Sequence, residues 1–97
     1  GRLCLVASRD GRDGSVSLHQ DADVYAALLD GDEAVEFELR RGRRVWIQVA
    51  RGEVQVNDQR LDEGDGLALD EPGVVCLDGA RAAEVLLFDL TDHWPAA

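Results

Sequence analysis

Apolar and polar residues trade places at every second position along much of this chain. Val35, Phe37 and Leu39 alternate with Glu36 and Glu38. Val45, Ile47 and Val49 alternate with Trp46 and Gln48, and Val54 and Val56 with Glu53, Gln55 and Asn57. A period of two marks half-buried strands, because successive side chains of an extended backbone point to opposite faces. Shorter unbroken apolar runs at Leu3–Ala7, Leu67–Leu69, Val74–Leu77 and Val85–Phe88 fit strands buried on both faces. Turn signals separate these segments: Asp10-Gly11, Asp13-Gly14, Asp30-Gly31-Asp32, Arg41-Gly42, Arg51-Gly52, Asn57-Asp58, Glu63-Gly64-Asp65-Gly66, Glu71-Pro72-Gly73 and Asp78-Gly79. Only Asp21–Asp30 competes as a helix, and there Val24 and Tyr25 favour a strand. The spacing predicts an all-β sandwich or small barrel. There is no repeat of about 20–50 residues and no Pro-rich linker.

Composition narrows the function classes. Ninety-seven residues allow one domain with a single core. Twenty acids against ten bases leave a formal charge of −10, which makes nucleic acid and anionic membrane poor partners. No apolar run approaches the roughly 18–20 residues of a spanning helix, and no signal-peptide pattern opens the chain. The bases are all Arg, a compositional bias without functional content. The sequence contains no Met, so Gly1 is expected to lie inside a longer polypeptide and the chain to be a domain cut from it.

Residues 45–73, VWIQVARGEVQVNDQRLDEGDGLALDEPG, narrow the fold further. A strand is expected to end at Arg51-Gly52, a hairpin to form around Asn57-Asp58, and a Gly-Asp-Gly turn to lead into a strand closed by Pro72-Gly73. This order resembles the central part of a cupin, a double-stranded β-helix or jelly roll. More of the chain fits one branch of that superfamily. Leu5-Val6-Ala7-Ser8 with Arg12-Asp13-Gly14-Ser15, His19-Gln20-Asp21-Ala22, Arg44-Val45-Trp46-Ile47-Gln48-Val49, Asp65-Gly66-Leu67-Ala68 and Glu84-Val85-Leu86-Leu87-Phe88-Asp89-Leu90 resemble the C-terminal cupin of bacterial pirin-like bicupins. The resemblance implies that residues 1–97 are one C-terminal cupin domain, with 91–97 as a fraying tail. It implies a parent related to quercetin 2,3-dioxygenases, which open a flavonol with dioxygen at a mononuclear metal: iron, copper, nickel or manganese. The ligands in that family, three His and a Glu, lie in the N-terminal cupin. The partner expected for this chain is therefore that N-terminal cupin, with a small aromatic substrate for the parent, in a cytoplasmic setting.

Threading the metal-binding cupin spacing onto this sequence puts the four ligand positions at Leu39, Arg41, Val45 and Leu77. None of these supplies an imidazole or carboxylate, and no His lies between Gln20 and Asp92. The expectation is no catalytic residue, no cofactor and no metal ligand in this domain, with the interior filled by apolar side chains. One rival is a two-His-one-carboxylate triad formed by His19, Asp21 and His93, as in oxoglutarate-dependent oxygenases on a related β-helix. Those enzymes want an Arg shortly after the second His, and here the chain reads His93-Trp94-Pro95-Ala96-Ala97. The preferred reading of His19-Gln20-Asp21 is thus a surface or interface segment.

The remaining candidates have structural explanations. Cys4 and Cys76 sit in predicted strands and are expected to pack in the core as small hydrophobes. Arg40, Arg41, Arg43 and Arg44 are expected to form a solvated turn answering Glu33, Glu36 and Glu38, the alternative being an anion or a partner domain. Trp46 is expected to anchor one sheet face or to pack against the other domain. Asp62, Glu63 and Asp65, and likewise Asp70 and Glu71, are turn residues. Two functions follow: the non-catalytic cupin of a dioxygenase-type parent, or an interaction module of a pirin-type transcription cofactor without turnover.

Overall fold

The computed structural model describes residues 1–8, 16–17 and 22–91, with side chains placed for all of these but Val16 and Ser17. Its strands, in chain order, are β1 Cys4–Ser8, β2 Val16–Ser17, β3 Ala22–Leu29, β4 Val35–Leu39, β5 Arg43–Val56, β6 Gln59–Asp62, β7 Gly66–Leu69 and β8 Gly73–Thr91. Among the described residues there is no helix, and so none long and apolar enough to cross a membrane. The stretch that could have been helical is β3, where the β-branched and aromatic side chains hold the extended backbone.

Two long strands organise the barrel. The first half of β5 pairs with β7 on one side and with the last part of β8 on the other; its second half pairs with β6 and with the first part of β8. β1 and β3 extend the first layer through the last part of β8, and β4 completes the second layer beside the first part of β8. Each long strand thus serves both layers. Arg51-Gly52 and Asp78-Gly79, expected to end strands, are corners within continuous ones. The register of β5 on β8 shifts at Val49/Arg51, Arg51/Glu53 and Glu53/Gln55, as β-bulges do when they bend a strand without breaking it. Gly52 has φ +70°, and a Cβ there would overlap the carbonyl oxygens of Arg81 and Ala82. Across the corner Ala82 also takes a left-handed conformation (φ 46°), held by its N–H donating to Asp30 Oδ1 at 3.0 Å. For the same reason Val74–Leu77 and Val85–Phe88 are two parts of β8 rather than separate strands.

The β5–β6 hairpin is built as its residues require. Asn57 and Asp58 both have positive φ, 47° and 69°, the conformation of a two-residue turn matched to strand twist, which Asn and Asp tolerate best after Gly. Asn57 also accepts from the Cys76 N–H at 2.8 Å through its side chain, tying the hairpin to β8.

The core lies between the layers. Val45, Ile47 and Val49 of β5 meet Val85 and Leu87 of β8 from the first layer, and Val54, Val56, Val75 and Leu77 from the second, all nearly or fully buried. Tyr25 of β3 and Phe37 of β4 bridge the layers edge to face, with ring centroids 5.4 Å apart. The unbroken apolar runs are not buried on both faces as expected. Val6 and Val74 are 40% and 55% exposed, because each occupies the outward position of its strand; Leu28 of β3, outside those runs, is 71% exposed. Thr91, placed in the fraying tail by sequence, is still paired with Arg43; residues 92–97 lie outside the described residues.

Candidate functional site

The interior corner where a cupin would hold its metal is the first place to look for chemistry. Leu39 ends β4 opposite Gly73, Val45 faces Leu69 and Asp89, and Leu77 lies between Val35 and Val56. Leu39 is 1% exposed, and Val45 and Leu77 are fully buried members of the core. Arg41 points to solvent from the β4–β5 turn. Aliphatic carbons have no lone pairs to donate, so these positions do not fit a divalent cation. Among the described residues no group of three His, Cys, Asp or Glu is placed to hold one. His19, Asp21 and His93, the rival triad, lie outside the described residues.

Two polar side chains are buried among the described residues, Ser8 and Asp89, and the carboxyl is one the sequence hid. Asp89 is 3% exposed. It sits in phase with Val85 and Leu87 on β8, and Arg43 sits in phase with Val45 and Ile47 on β5. Arg43 Nε donates to Asp89 Oδ1 at 3.1 Å, and Nη2 donates to the Asp89 carbonyl, also at 3.1 Å. Burial pushes the Asp89 carboxyl above its ordinary value, the Arg43 hydrogen bond and charge pull it back, and the negative charge of Asp23 raises it again. Asp23 is its cross-strand neighbour on β3. Of the four arginines expected to form a solvated turn, Arg43 is thus a half-buried ion-pair partner of Asp89; the alternation of β5 carried the signal. Arg40 contributes more distantly to the same carboxylate. The arrangement ties the start of β5 to the end of β8 through one side-chain and one backbone contact.

The cysteines are also placed differently from expectation. Both occupy outward positions, Cys4 exposed and Cys76 half-buried, and both are free thiols. Leu3 and Leu77 take the inward positions beside them. Cys76 Sγ lies 3.6 Å from Glu36 Oε2. Partial burial, followed by the hydrogen bond and charge of Glu36, pushes this thiol up, the opposite of what a reactive thiolate needs.

The outward surfaces of the two layers differ sharply. On the β4–β8–β5–β6 layer, Glu53 takes ion pairs from Arg60 at 3.2 Å and Arg81 at 3.4 Å, and the Arg60 hydrogen bond holds its carboxyl below the usual range. Glu36, Glu38 and Asp62 add further charge there. On the other layer one cross-strand row reads Val24, Phe88, Trp46, Ala68 and the next Ala26, Leu86, Gln48, Gly66. Trp46 is 39% exposed, and its indole lies over Gly66, where a Cβ would overlap the ring. Its Nε1 donates to Gln48 Oε1 at 3.2 Å, while Gln48 Nε2 donates to the carbonyls of Gly64 and Asp65. The Gly-Asp-Gly turn therefore sets the orientation of the tryptophan, anchoring it to one sheet face as its alternation suggested.

Two layers sharing a pair of bent strands around an apolar interior define a cupin-type jelly roll. Within that class, residues 5–90 match the quercetinase C-terminal cupin domain, and the chain belongs to this family. It is similar to a quercetin 2,3-dioxygenase of Escherichia coli, 42% identical over 86 residues that make up 89% of this chain and 37% of that protein. It also resembles a pirin-like protein of Caulobacter vibrioides, 29% identical over 92% of this chain and 39% of the relative. Among solved structures, it superposes on the Escherichia coli bacterial pirin YhhW in complex with nickel(II) with a TM-score of 0.87 and 40% identity, covering 92% of this chain and 39% of that one. The chain thus spans less than two-fifths of the length of the curated relatives it matches.

Proposed function

We propose that this cupin is the non-catalytic C-terminal unit of a longer polypeptide that opens a flavonol with dioxygen, the metal being held in an N-terminal cupin by three His and a Glu. One observation carries the assignment of roles: apolar Leu39, Val45 and Leu77 fill the corner that the ligands of a metal-binding cupin would occupy. The relatives named as quercetin 2,3-dioxygenases support the reaction class, and the relative solved with nickel(II) supports a divalent ion, one of iron, copper, nickel or manganese. The unit in hand acts as a packing partner that shapes or shields the neighbouring site, and no chemical step passes through its residues.

The test compares quercetin turnover, by oxygen uptake, for the parent polypeptide and for this chain alone, with elemental analysis of both. The parent is expected to turn over and to hold a metal. This chain alone is expected to do neither. Turnover by this chain, or a tightly held metal equivalent lost in His19→Ala, would reverse the roles. A metal-loaded parent without turnover would favour the interaction module of a transcription cofactor instead.

A further inference from the structure

We propose that the outward face of the β1–β3–β8–β5–β7 layer is the docking surface for the other cupin unit of the parent polypeptide, centred on Trp46 and Phe88. The proposal rests on the bicupin reading above and assigns a surface to it. Sidedness is the first argument. The two layers come from the same acidic chain, yet one outward face carries ion pairs around Glu53 and the other presents Val24, Ala26, Leu86, Phe88, Trp46 and Ala68. An apolar face of this kind on a small domain marks a contact surface, and a fixed aromatic beside an Arg is the composition of interface centres.

The shape of the face agrees. A depression of about 530 Å³ lies over Trp46, Gln48, Ala68, Phe88 and Leu90, with Arg44 on its margin. Another of about 450 Å³ lies over Cys4, Ala26 and Leu28, with Glu84 at its rim. Leu86 stands between them by register, next to Ala26 on one side and Gln48 on the other. Glu84 is paired with Arg51 at 3.6 Å, and Arg44 and Arg2 stand as cations at the margins of the two depressions, which calls for carboxylates on the occupant.

Two facts select that occupant. A second copy of this chain would bring another formal charge of −10 against the first, which opposes self-association. The relatives carry more than three-fifths of their length beyond the matched part, enough for a unit of similar size joined to the same chain. A tethered neighbour docks at high effective concentration, so a contact too weak to hold a free partner suffices.

Cys4 is exposed on this face and serves as a reporter. In the parent polypeptide, maleimide labelling of Cys4, followed by peptide mass mapping, is measured for the wild type and for Trp46→Glu. The variant is expected to label at least about tenfold faster, because a charge placed in the apolar contact undocks the units and opens the face. Leu28→Glu serves where Trp46→Glu fails to fold, since Leu28 is 71% exposed and tolerates a charge without disturbing the core. Equal labelling rates with folding intact would overturn the proposal. So would a dimeric parent that the substitution turns into monomers, because the occupant would then be a second copy. Quercetin turnover is read on the same samples. A parent that never turns over but shows the labelling change refutes the dioxygenase reading and leaves the docking face standing. Turnover with no labelling change does the reverse.

Discussion

Truncating Leu77 to alanine tests whether the inner corner is solid core or a recess able to receive a guest. Leu77 is fully buried on β8 between Val35 and Val56. Its removal loses the transfer energy of the deleted carbons and adds the cost of a cavity that rigid strands on both sides cannot close. Such sites lose about 3–5 kcal/mol. A domain of this length commands only about 5–15 kcal/mol in total, so about a fifth of the stability or more should disappear. Urea unfolding followed by far-ultraviolet circular dichroism should show the midpoint drop with the slope unchanged, and the melting temperature should fall by at least about 12 °C. Leu28→Ala is the control: at 71% exposure it should stay within about 0.5 kcal/mol of wild type. A loss below about 1 kcal/mol in Leu77→Ala would mean that the side chain borders open space. The claim that aliphatic packing excludes a metal here would fall with it.

Two further outcomes follow from the corner and the Arg43–Asp89 pair. Gly52→Ala should cost about 1–2 kcal/mol for the left-handed backbone and about 1–3 kcal/mol more for displacing the carbonyls of Arg81 and Ala82. Gly31→Ala, at φ +60° with nothing near the new Cβ, should show the backbone cost alone; equal losses in chemical denaturation would disprove the close approach of β5 to β8. For Asp89, the folded state holds its proton more tightly than the unfolded chain, since burial raises the carboxyl. Its contribution to stability should therefore decline as pH rises from the ordinary carboxylate value through the raised one, by at most about 1.4 kcal/mol per pH unit. Subtracting the Asp89→Asn curve from the wild-type curve isolates this slope, because Glu53, with its carboxyl lowered by Arg60, acts in the opposite sense in both proteins. A difference that grows with pH would show that Arg43 outweighs burial.

Much of the architecture was legible because a period of two needs no tertiary context: any chain reading Val-Glu-Phe-Glu-Leu or Val-Trp-Ile-Gln-Val has one wet side and one dry side when extended. The Asn57-Asp58 hairpin was legible for a similar local reason, since few residues accept positive φ at both turn positions. The identity of the corner residues Leu39, Val45 and Leu77 was also plain in the sequence, and aliphatic carbon has no ligand chemistry in any fold.

What local pattern left undecided depends on which strands meet. Gly52 and Gly79 look like turn residues in isolation; only the pairing of β5 with β8 makes each a bend inside a continuous strand. Arg43 stands in a run of arginines and Asp89 in an apolar run, and each is ordinary until the register of β5 on β8 brings them together. Val24, Leu86, Phe88, Trp46 and Ala68 are scattered over about two-thirds of the chain, and they become one surface because β3, β8, β5 and β7 lie side by side. Alternation along a strand says that a residue faces one side or the other. Which neighbours it has on that side is a property of the sheet, and the sheet is assembled from segments far apart in sequence.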